Sequence, residues 1–110
     1  MATTLNQQIS ILQWNCNGVN SRIAELKNYI HYNSPSIICL QETKLTDKKQ
    51  FKLINYSIVR KDRPSSKNGG GTLIAIKNDI PFVQIPTPVN YEATAISVLT
   101  NNQNSQRNNQ

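Results

Sequence analysis

The chain has 110 residues, the size of one small domain, and carries a formal charge of +6 at pH 7. Hydrophobic residues make up 37% of it, below the usual ~45–50%. It has no apolar run near the ~18–20 residues that a membrane span needs, and its N-terminal sequence lacks the basic and apolar regions of a secretory signal. We therefore expect an intracellular protein without membrane association.

The first half of the chain predicts a strand, a helix and a second strand. Residues 9–14 form a short apolar run that ends at turn-forming residues, which is typical of a buried strand. A helix is predicted over 21–32, with Ser21 as its N-cap and with Pro35 ending the segment. Residues 36–40 are a second apolar strand. The connection is long enough for a right-handed crossover, so the two strands are predicted to be parallel neighbours.

The second half predicts a mixed set of short elements and turn-rich loops. A short helix is expected over 46–53, and strands are expected over 56–60, 72–77 and 92–99. Three prolines between the last two strands predict an irregular stretch or a sheet edge. The domain is predicted to cover residues 1–100. Residues 101–110 contain five Asn, three Gln and no apolar side chain, and predict a disordered tail.

The cysteines and the histidine show no metal-binding or disulfide pattern. Cys16 and Cys39 lie in apolar, strand-like contexts, and two such residues do not make a disulfide framework. Together with His31 they do not match the ligand spacing of a zinc site. We expect reduced thiols and an exposed or packing histidine. Two loop acids, Asp62 and Asp79, are expected to be solvated.

The positive charge is concentrated in one segment. Between residues 44 and 67 eight basic side chains stand against two acidic ones, whereas the rest of the chain has four of each. This local excess suits a polyanion such as nucleic acid, although a solvated basic face would have the same pattern. The candidate nucleic-acid-binding residues are Lys44, Lys48, Lys49, Lys52, Arg60, Lys61, Arg63 and Lys67.

Polar side chains follow the first two predicted strands. Asn15 and Asn17 come after the first strand, and Gln41 and Glu42 come after the second. Parallel neighbours end at the same edge of a sheet, where α/β folds usually place ligands, so these groups should converge. A carboxylate that leaves an apolar strand needs a partner. A Mg²⁺ ion with its waters and phosphate oxygens would suit Glu42, and the alternative is a salt bridge or a strand-end cap.

The sequence ILQWNCNGVNS, followed later by IICLQETKL, resembles the start of the endonuclease/exonuclease/phosphatase family. It is most similar to the apurinic-endonuclease-like domains of non-LTR retrotransposons of the jockey and LINE type. In that group the first strand ends in an asparagine motif and the second in Gln-Glu-Thr. GGGTLIAIK and EATAISV then follow in the family's order. The resemblance implies the N-terminal half of a DNase I-like, two-sheet α/β sandwich.

The resemblance also implies roles for individual residues. Glu42 corresponds to the family's metal-binding glutamate, and Asn15 to the asparagine that organises the metal and the scissile phosphate. Asn17 and Gln41 would orient those ligands, and Lys44 would contact a DNA phosphate. The implied cofactor is Mg²⁺, with Mn²⁺ as a substitute. The glycine run Gly69–Gly71 lacks the P-loop pattern and should let the backbone turn into the next strand, or approach DNA closely.

The function implied is Mg²⁺-dependent nicking of target DNA by a retrotransposon polyprotein that also contains a reverse transcriptase and acts in the nucleus. The family's tyrosine motif, aspartate–asparagine pair and aspartate–histidine pair belong to the second half of the domain. None of them occurs in this sequence, so we expect the chain alone to be inactive. Two alternatives are a non-catalytic nucleic-acid-binding remnant and a family member that acts on another phosphodiester or phosphomonoester.

Overall fold

Two β-sheets and one helix make up the part of the chain that the computed structural model describes, residues 8–64 and 69–99. In chain order they are β1 (Ile11–Asn15), a 3₁₀ turn (Asn20–Arg22), α1 (Ile23–Asn33), β2 (Ile37–Gln41), β3 (Tyr56–Lys61), β4 (Thr72–Lys77), β5 (Phe82–Ile85) and β6 (Ala95–Val98). The tail predicted over 101–110 lies outside the described residues, as does the predicted DNA contact Lys67.

The larger sheet has four strands in the order β1-β2-β4-β3. Strand β1 pairs in parallel with β2, and β4 runs antiparallel to both β2 and β3. The predicted parallel crossover through the helix is confirmed. Four successive residues of β4, 73–76, are buried, because this central strand is covered on both faces, which explains why it reads as a continuous apolar run.

The core lies on both faces of this sheet. On one face Leu26 of α1 packs with Ile38, Leu40 and Leu73 in a cluster of buried side chains. On the other face Ile37, Val59, Ile74 and Ile76 form a second cluster, against which Phe82, Ile96 and Val98 of the smaller sheet pack. Alternate residues of a strand point to opposite faces, so β2 contributes to both clusters. The result is three layers: helix, four-stranded sheet and two-stranded sheet.

The helix predicted over 46–53 is wrong. These residues form an irregular segment with a turn at 47–48. Leu45, Phe51 and Leu53 are buried in the core, a spacing that does not lie on one helical face. In addition, Arg60 Nη2 donates to the carbonyls of Thr46 and Lys49 at 2.8 and 2.6 Å. Tertiary contacts therefore take the carbonyl groups that a helix would have used.

The ends of helix α1 differ from the sequence prediction by one or two residues. Ser21 is not its N-cap; its hydroxyl donates instead to the Gly18 carbonyl at 2.9 Å, within the 3₁₀ turn that precedes the helix. The helix ends at Asn33, and its C-cap Ser34 has a left-handed backbone and donates its N–H to the Ile30 carbonyl at 2.9 Å. Within the described ranges no helix has the length and apolarity that crossing a membrane requires.

The proline-rich stretch contains strand β5, which lies at a sheet edge, as the sequence predicted, because its sheet has only two strands. Pro81 and Pro86 lie immediately outside β5, which pairs antiparallel with β6 in the two-stranded sheet. The prolines therefore bound the strand without removing its ladder hydrogen bonds. The last strand is shorter than predicted, and the residues before it bond to the larger sheet: Thr94 Oγ1 lies 2.6 Å from Thr72 Oγ1.

Candidate functional site

Strands β1 and β2 end side by side at one edge of the larger sheet. Asn15, the last residue of β1, is the register partner of Gln41, the last residue of β2, and Glu42 follows directly. Neighbouring strands lie ~4.8 Å apart and consecutive Cα atoms 3.8 Å apart, so the Cα atoms of Asn15 and Glu42 lie within about 9 Å. The polar residues predicted to converge are therefore brought together.

The backbone pairing continues beyond the ends of these strands. The Cys16 N–H donates to the Gln41 carbonyl at 3.0 Å, and the Gly18 N–H donates to the Glu42 carbonyl at 2.7 Å. Val19 makes the next bond of the series, to Thr43 at 3.0 Å. The loop after β1, which includes Asn17, is thus hydrogen-bonded to the segment that carries Glu42.

The glycine run brackets the same segment from the other side. Thr43 donates its N–H to the Gly71 carbonyl at 3.3 Å, and Lys44 donates to the Gly70 carbonyl at 2.8 Å. Gly71 has φ +91°, and a Cβ at this position would overlap Thr43 Oγ1. Glycine is therefore needed both for the backbone conformation and for the close approach to Thr43.

The two thiols are free and unreactive in character. Burial raises the pKa of Cys16 above its usual value, and the nearby Glu42 carboxylate adds to the rise. Burial likewise raises the pKa of Cys39. Both groups are therefore protonated at neutral pH, a form that is a poor nucleophile and a poor metal ligand.

The donors at this edge suit a hard cation. Glu42 offers a carboxylate and Asn15 an amide oxygen, and Mg²⁺ takes one or two protein carboxylates together with waters and phosphate oxygens. Among residues 8–64 and 69–99, no group of three or more His, Cys, Asp or Glu side chains could hold a metal. A Mg²⁺ ion at this edge would therefore rest on a single carboxylate and be held weakly.

Four of the predicted nucleic-acid-binding residues are exposed lysines, on or next to the irregular segment between β2 and β3: Lys44, Lys48, Lys49 and Lys52. Lys44 has φ +57°, and its Cδ lies 3.6 Å from where a Cβ on Gly18 would stand. Its side chain therefore reaches over the loop that follows β1. These four residues are available to a polyanion.

Three other predicted contacts are engaged within the fold. The Arg60 guanidinium forms an ion pair with Asp62 at 2.9 Å, in which the two side chains are 20% and 10% exposed. Lys61 Nζ donates to the Pro88 carbonyl at 2.7 Å, and Arg63 Nε donates to Glu92 Oε2 at 2.8 Å. The solvated state predicted for Asp62 is wrong, because this carboxylate is the partner of Arg60. Amino-acid composition does not distinguish basic side chains that are bonded within the fold from those that are exposed to solvent.

Glu92 is a residue whose part in this region the sequence did not predict. Its Oε1 accepts the Gly71 N–H at 2.9 Å, while its Oε2 accepts from Arg63. The Arg63 hydrogen bond, and then the Gly71 N–H, hold the pKa of Glu92 below its usual range. The one feature of the sequence that singles out Glu92 is that it is the only acidic residue after Asp79.

We expect the stabilising effect of the Glu92 carboxylate to be lost in acid. Its pKa is lowered in the folded chain, so its contribution is present above the ordinary value of 4.5 and disappears as pH falls through the folded pKa. The wild type should be slightly more stable than Glu92→Gln at about pH 7, because the ion pair is exposed. This small difference in free energy of unfolding should narrow toward about pH 3. Urea unfolding across this range measures it, and a difference independent of pH would contradict the expectation.

The sequence matches the Endonuclease/Exonuclease/phosphatase family over residues 12–109. Among solved structures, a 3′ phosphatase from Neisseria bound to a product DNA hairpin is similar with a TM-score of 0.61 and 24% identity, over 86% of this chain and 38% of that one. An AP endonuclease from Archaeoglobus fulgidus has a TM-score of 0.58 and 26% identity, over 76% of this chain and 34% of its own. No curated protein sequence matches.

This chain spans little more than a third of the length of those two proteins. The likeness nevertheless extends over most of the present chain, whose structure is a mixed α/β fold with two sheets. The DNase I-like α/β fold predicted from the sequence is therefore confirmed.

Proposed function

This chain belongs to the endonuclease/exonuclease/phosphatase family, and from that premise we propose that it supplies the metal- and phosphate-binding edge of a Mg²⁺-dependent DNA endonuclease. The observation that carries the proposal is the parallel pairing of β1 with β2, since it brings Asn15 and Glu42 to one edge of the sheet. That edge is where ligands bind in open α/β sheets.

DNA is the substrate that we propose. One similar structure holds a product DNA hairpin and another is an AP endonuclease. Four exposed lysines, on or next to the segment that follows Glu42 in the chain, supply the positive charge that a phosphate backbone requires. The asparagine and Gln-Glu-Thr motifs further support a non-LTR retrotransposon endonuclease, which would nick chromosomal target sites in the nucleus alongside a reverse transcriptase.

The chain's own residues would bind and orient the substrate. Glu42 and the Asn15 amide oxygen would hold Mg²⁺, which when bound supplies positive charge next to the scissile phosphate. Gln41, opposite Asn15 in the register, and Asn17 in the hydrogen-bonded loop would orient these ligands. Lys44, whose side chain lies over Gly18, would fix a DNA phosphate beside them.

We expect the purified chain to bind Mn²⁺ weakly through Glu42. Removing the carboxylate charge in Glu42→Gln should weaken the affinity by about tenfold or more, because amide oxygens alone are poor ligands for hard cations. Asp79→Asn is the matched control, since Asp79 is an exposed turn residue away from this edge. Titration by electron paramagnetic resonance measures free Mn²⁺ directly. Equal losses in the two variants would contradict the proposed site.

Nicking of supercoiled plasmid separates binding from catalysis. The isolated chain should show no Mg²⁺-dependent nicking, because each general base or transition-state donor that it does not supply costs on the order of 10²–10⁴ in rate. Nicking that disappears in Glu42→Gln would overturn this expectation of inactivity and support the endonuclease site. DNA binding without any Glu42-dependent metal binding would instead favour a non-catalytic nucleic-acid-binding remnant.

A further inference from the structure

We propose that Glu92 is a positioning residue for Glu42, acting through Gly71 and Thr43. The inference rests on the proposed function, because it concerns the same sheet edge. The inference gives the smaller sheet a role in positioning residues at that edge of the larger sheet, because Glu92 lies just before β6 in the chain. Three steps of contact connect the two carboxylates.

The first step is the unusual backbone that presents Glu42. Glu42 and Lys44 both have φ +57°, a left-handed conformation that non-glycine residues adopt at a cost. Thr43 lies between them and is buried, with 1% of the residue exposed. Such a backbone persists only where its surroundings hold it, and here Gly18 and Val19 hold it on one side and the glycine run on the other.

The second step is the contact between the glycine run and Thr43. Besides the N–H bond from Thr43 to the Gly71 carbonyl, Gly71 lies so close to Thr43 Oγ1 that a Cβ would overlap it. The same hydroxyl oxygen accepts the Leu45 N–H at 3.4 Å. A buried and closely packed side chain has no space in which to absorb a movement, so a shift of Gly71 displaces Thr43.

The third step is the hydrogen bonding and close packing between Glu92 and the glycine run. Its Oε1 accepts the Gly71 N–H, its Oε2 binds Arg63, and Gly70 lies so close to both side chains that a Cβ would overlap them. Hydrogen bonds to an ionised carboxylate are the stronger and shorter kind. Next to this contact, the hydroxyl groups of Thr72 and Thr94 are hydrogen-bonded at 2.6 Å, which also joins β4 to the segment before β6.

The exposure of the ion pair indicates that its role is geometric. The Arg63 and Glu92 side chains are 39% and 41% exposed, and ion pairs at such positions add little to global stability. Loss of Glu92 should therefore loosen the segment around Glu42 while the centre of the sheet stays intact. That local effect distinguishes a positioning residue from a general stabiliser.

The experiment compares Glu92→Ala, Glu92→Gln and a control, Glu25→Ala, which removes a carboxylate from another exposed ion pair. Amide hydrogen exchange in Glu92→Ala should be about tenfold faster at Gly18 and Thr43 and unchanged at β3–β4 pairs. Mn²⁺ affinity should fall about three- to tenfold. Glu92→Gln keeps an oxygen for the Gly71 N–H, so it should recover both quantities to within about twofold, and Glu25→Ala should change neither.

The outcomes separate the inference from the proposed function. Exchange at Gly18 and Thr43 no faster in Glu92→Ala than in Glu25→Ala would overturn the inference. Faster exchange together with Mn²⁺ binding that is indifferent to Glu42→Gln would refute the proposed metal site while supporting the hold of Glu92 on this segment. If Glu92→Ala does not fold, Glu92→Asp decides, because its shorter side chain keeps the charge but withdraws its oxygen from the Gly71 N–H. Exchange at Gly18 and Thr43 in Glu92→Asp that is no faster than in the wild type would overturn the inference.

Discussion

Replacing Gly71 by alanine is expected to lower the free energy of unfolding by about 2–5 kcal/mol, against about 1–2 kcal/mol for Gly69→Ala. Both glycines have positive φ, +91° and +82°, so both substitutions carry the cost of a left-handed backbone. Only at Gly71 does the added Cβ overlap a buried neighbour, Thr43 Oγ1. At Gly69 it would meet Arg63 Nη1 at 3.6 Å, an ordinary contact.

The difference between these two variants isolates the overlap at Thr43. It should be about 1–3 kcal/mol, the usual cost of forcing an extra methyl group into a packed site. Urea unfolding of both variants under the same conditions measures it. If alanine costs the same at the two positions, the approach of the glycine run to the Gln-Glu-Thr segment is looser than the structure has it.

Reversing Lys48 and Lys52 to glutamate is expected to weaken binding to duplex DNA by about 30-fold or more at physiological salt. If four exposed lysines contact phosphates, the logarithm of the association constant should fall with the logarithm of the salt concentration, with a slope of roughly −3.6. The double variant should retain roughly half of that slope. Each contact contributes about fivefold in affinity near 0.15 M salt by the same relation. The matched control, Lys27→Glu with Lys77→Glu, changes the net charge equally but outside the basic segment.

Fluorescence anisotropy of a short labelled duplex, repeated over a range of salt concentrations, measures both the affinity and the slope. Mutating Arg60 is a poor test, because its guanidinium bonds to Asp62, Thr46 and Lys49, and its loss would disturb the fold. If the Lys27/Lys77 variant loses more affinity than the Lys48/Lys52 variant, the exposed lysines do not form the DNA-binding surface.

Local sequence was sufficient for the strand–helix–strand unit and for the edge that it creates. Short apolar runs, turn formers and Pro35 predicted β1, α1 and β2 to within about two residues, a usual error for element ends. The length of the crossover then predicted parallel pairing. Once that pairing is known, the convergence of Asn15 with Glu42 follows from strand geometry. The metal-binding roles of these residues remain predictions.

The features that the sequence did not predict depend on partners far away in the chain. The 46–53 segment has a helix-like local sequence, but Arg60 binds its carbonyls and the core takes its apolar side chains. Whether a basic side chain is exposed or bonded within the fold likewise depends on which residues surround it after folding.

The part played by Glu92 depends on partners even further away. It lies 21 residues from Gly71 and 29 from Arg63, and nothing in the local sequence predicts either contact. Sequence by itself determined the strand order of the first unit, the polar residues at its edge and the net charge, because these follow from local periodicity and composition. Only the tertiary structure decided which charges are free and what holds Glu42, because hydrogen bonds and burial form between segments that the folded chain brings together.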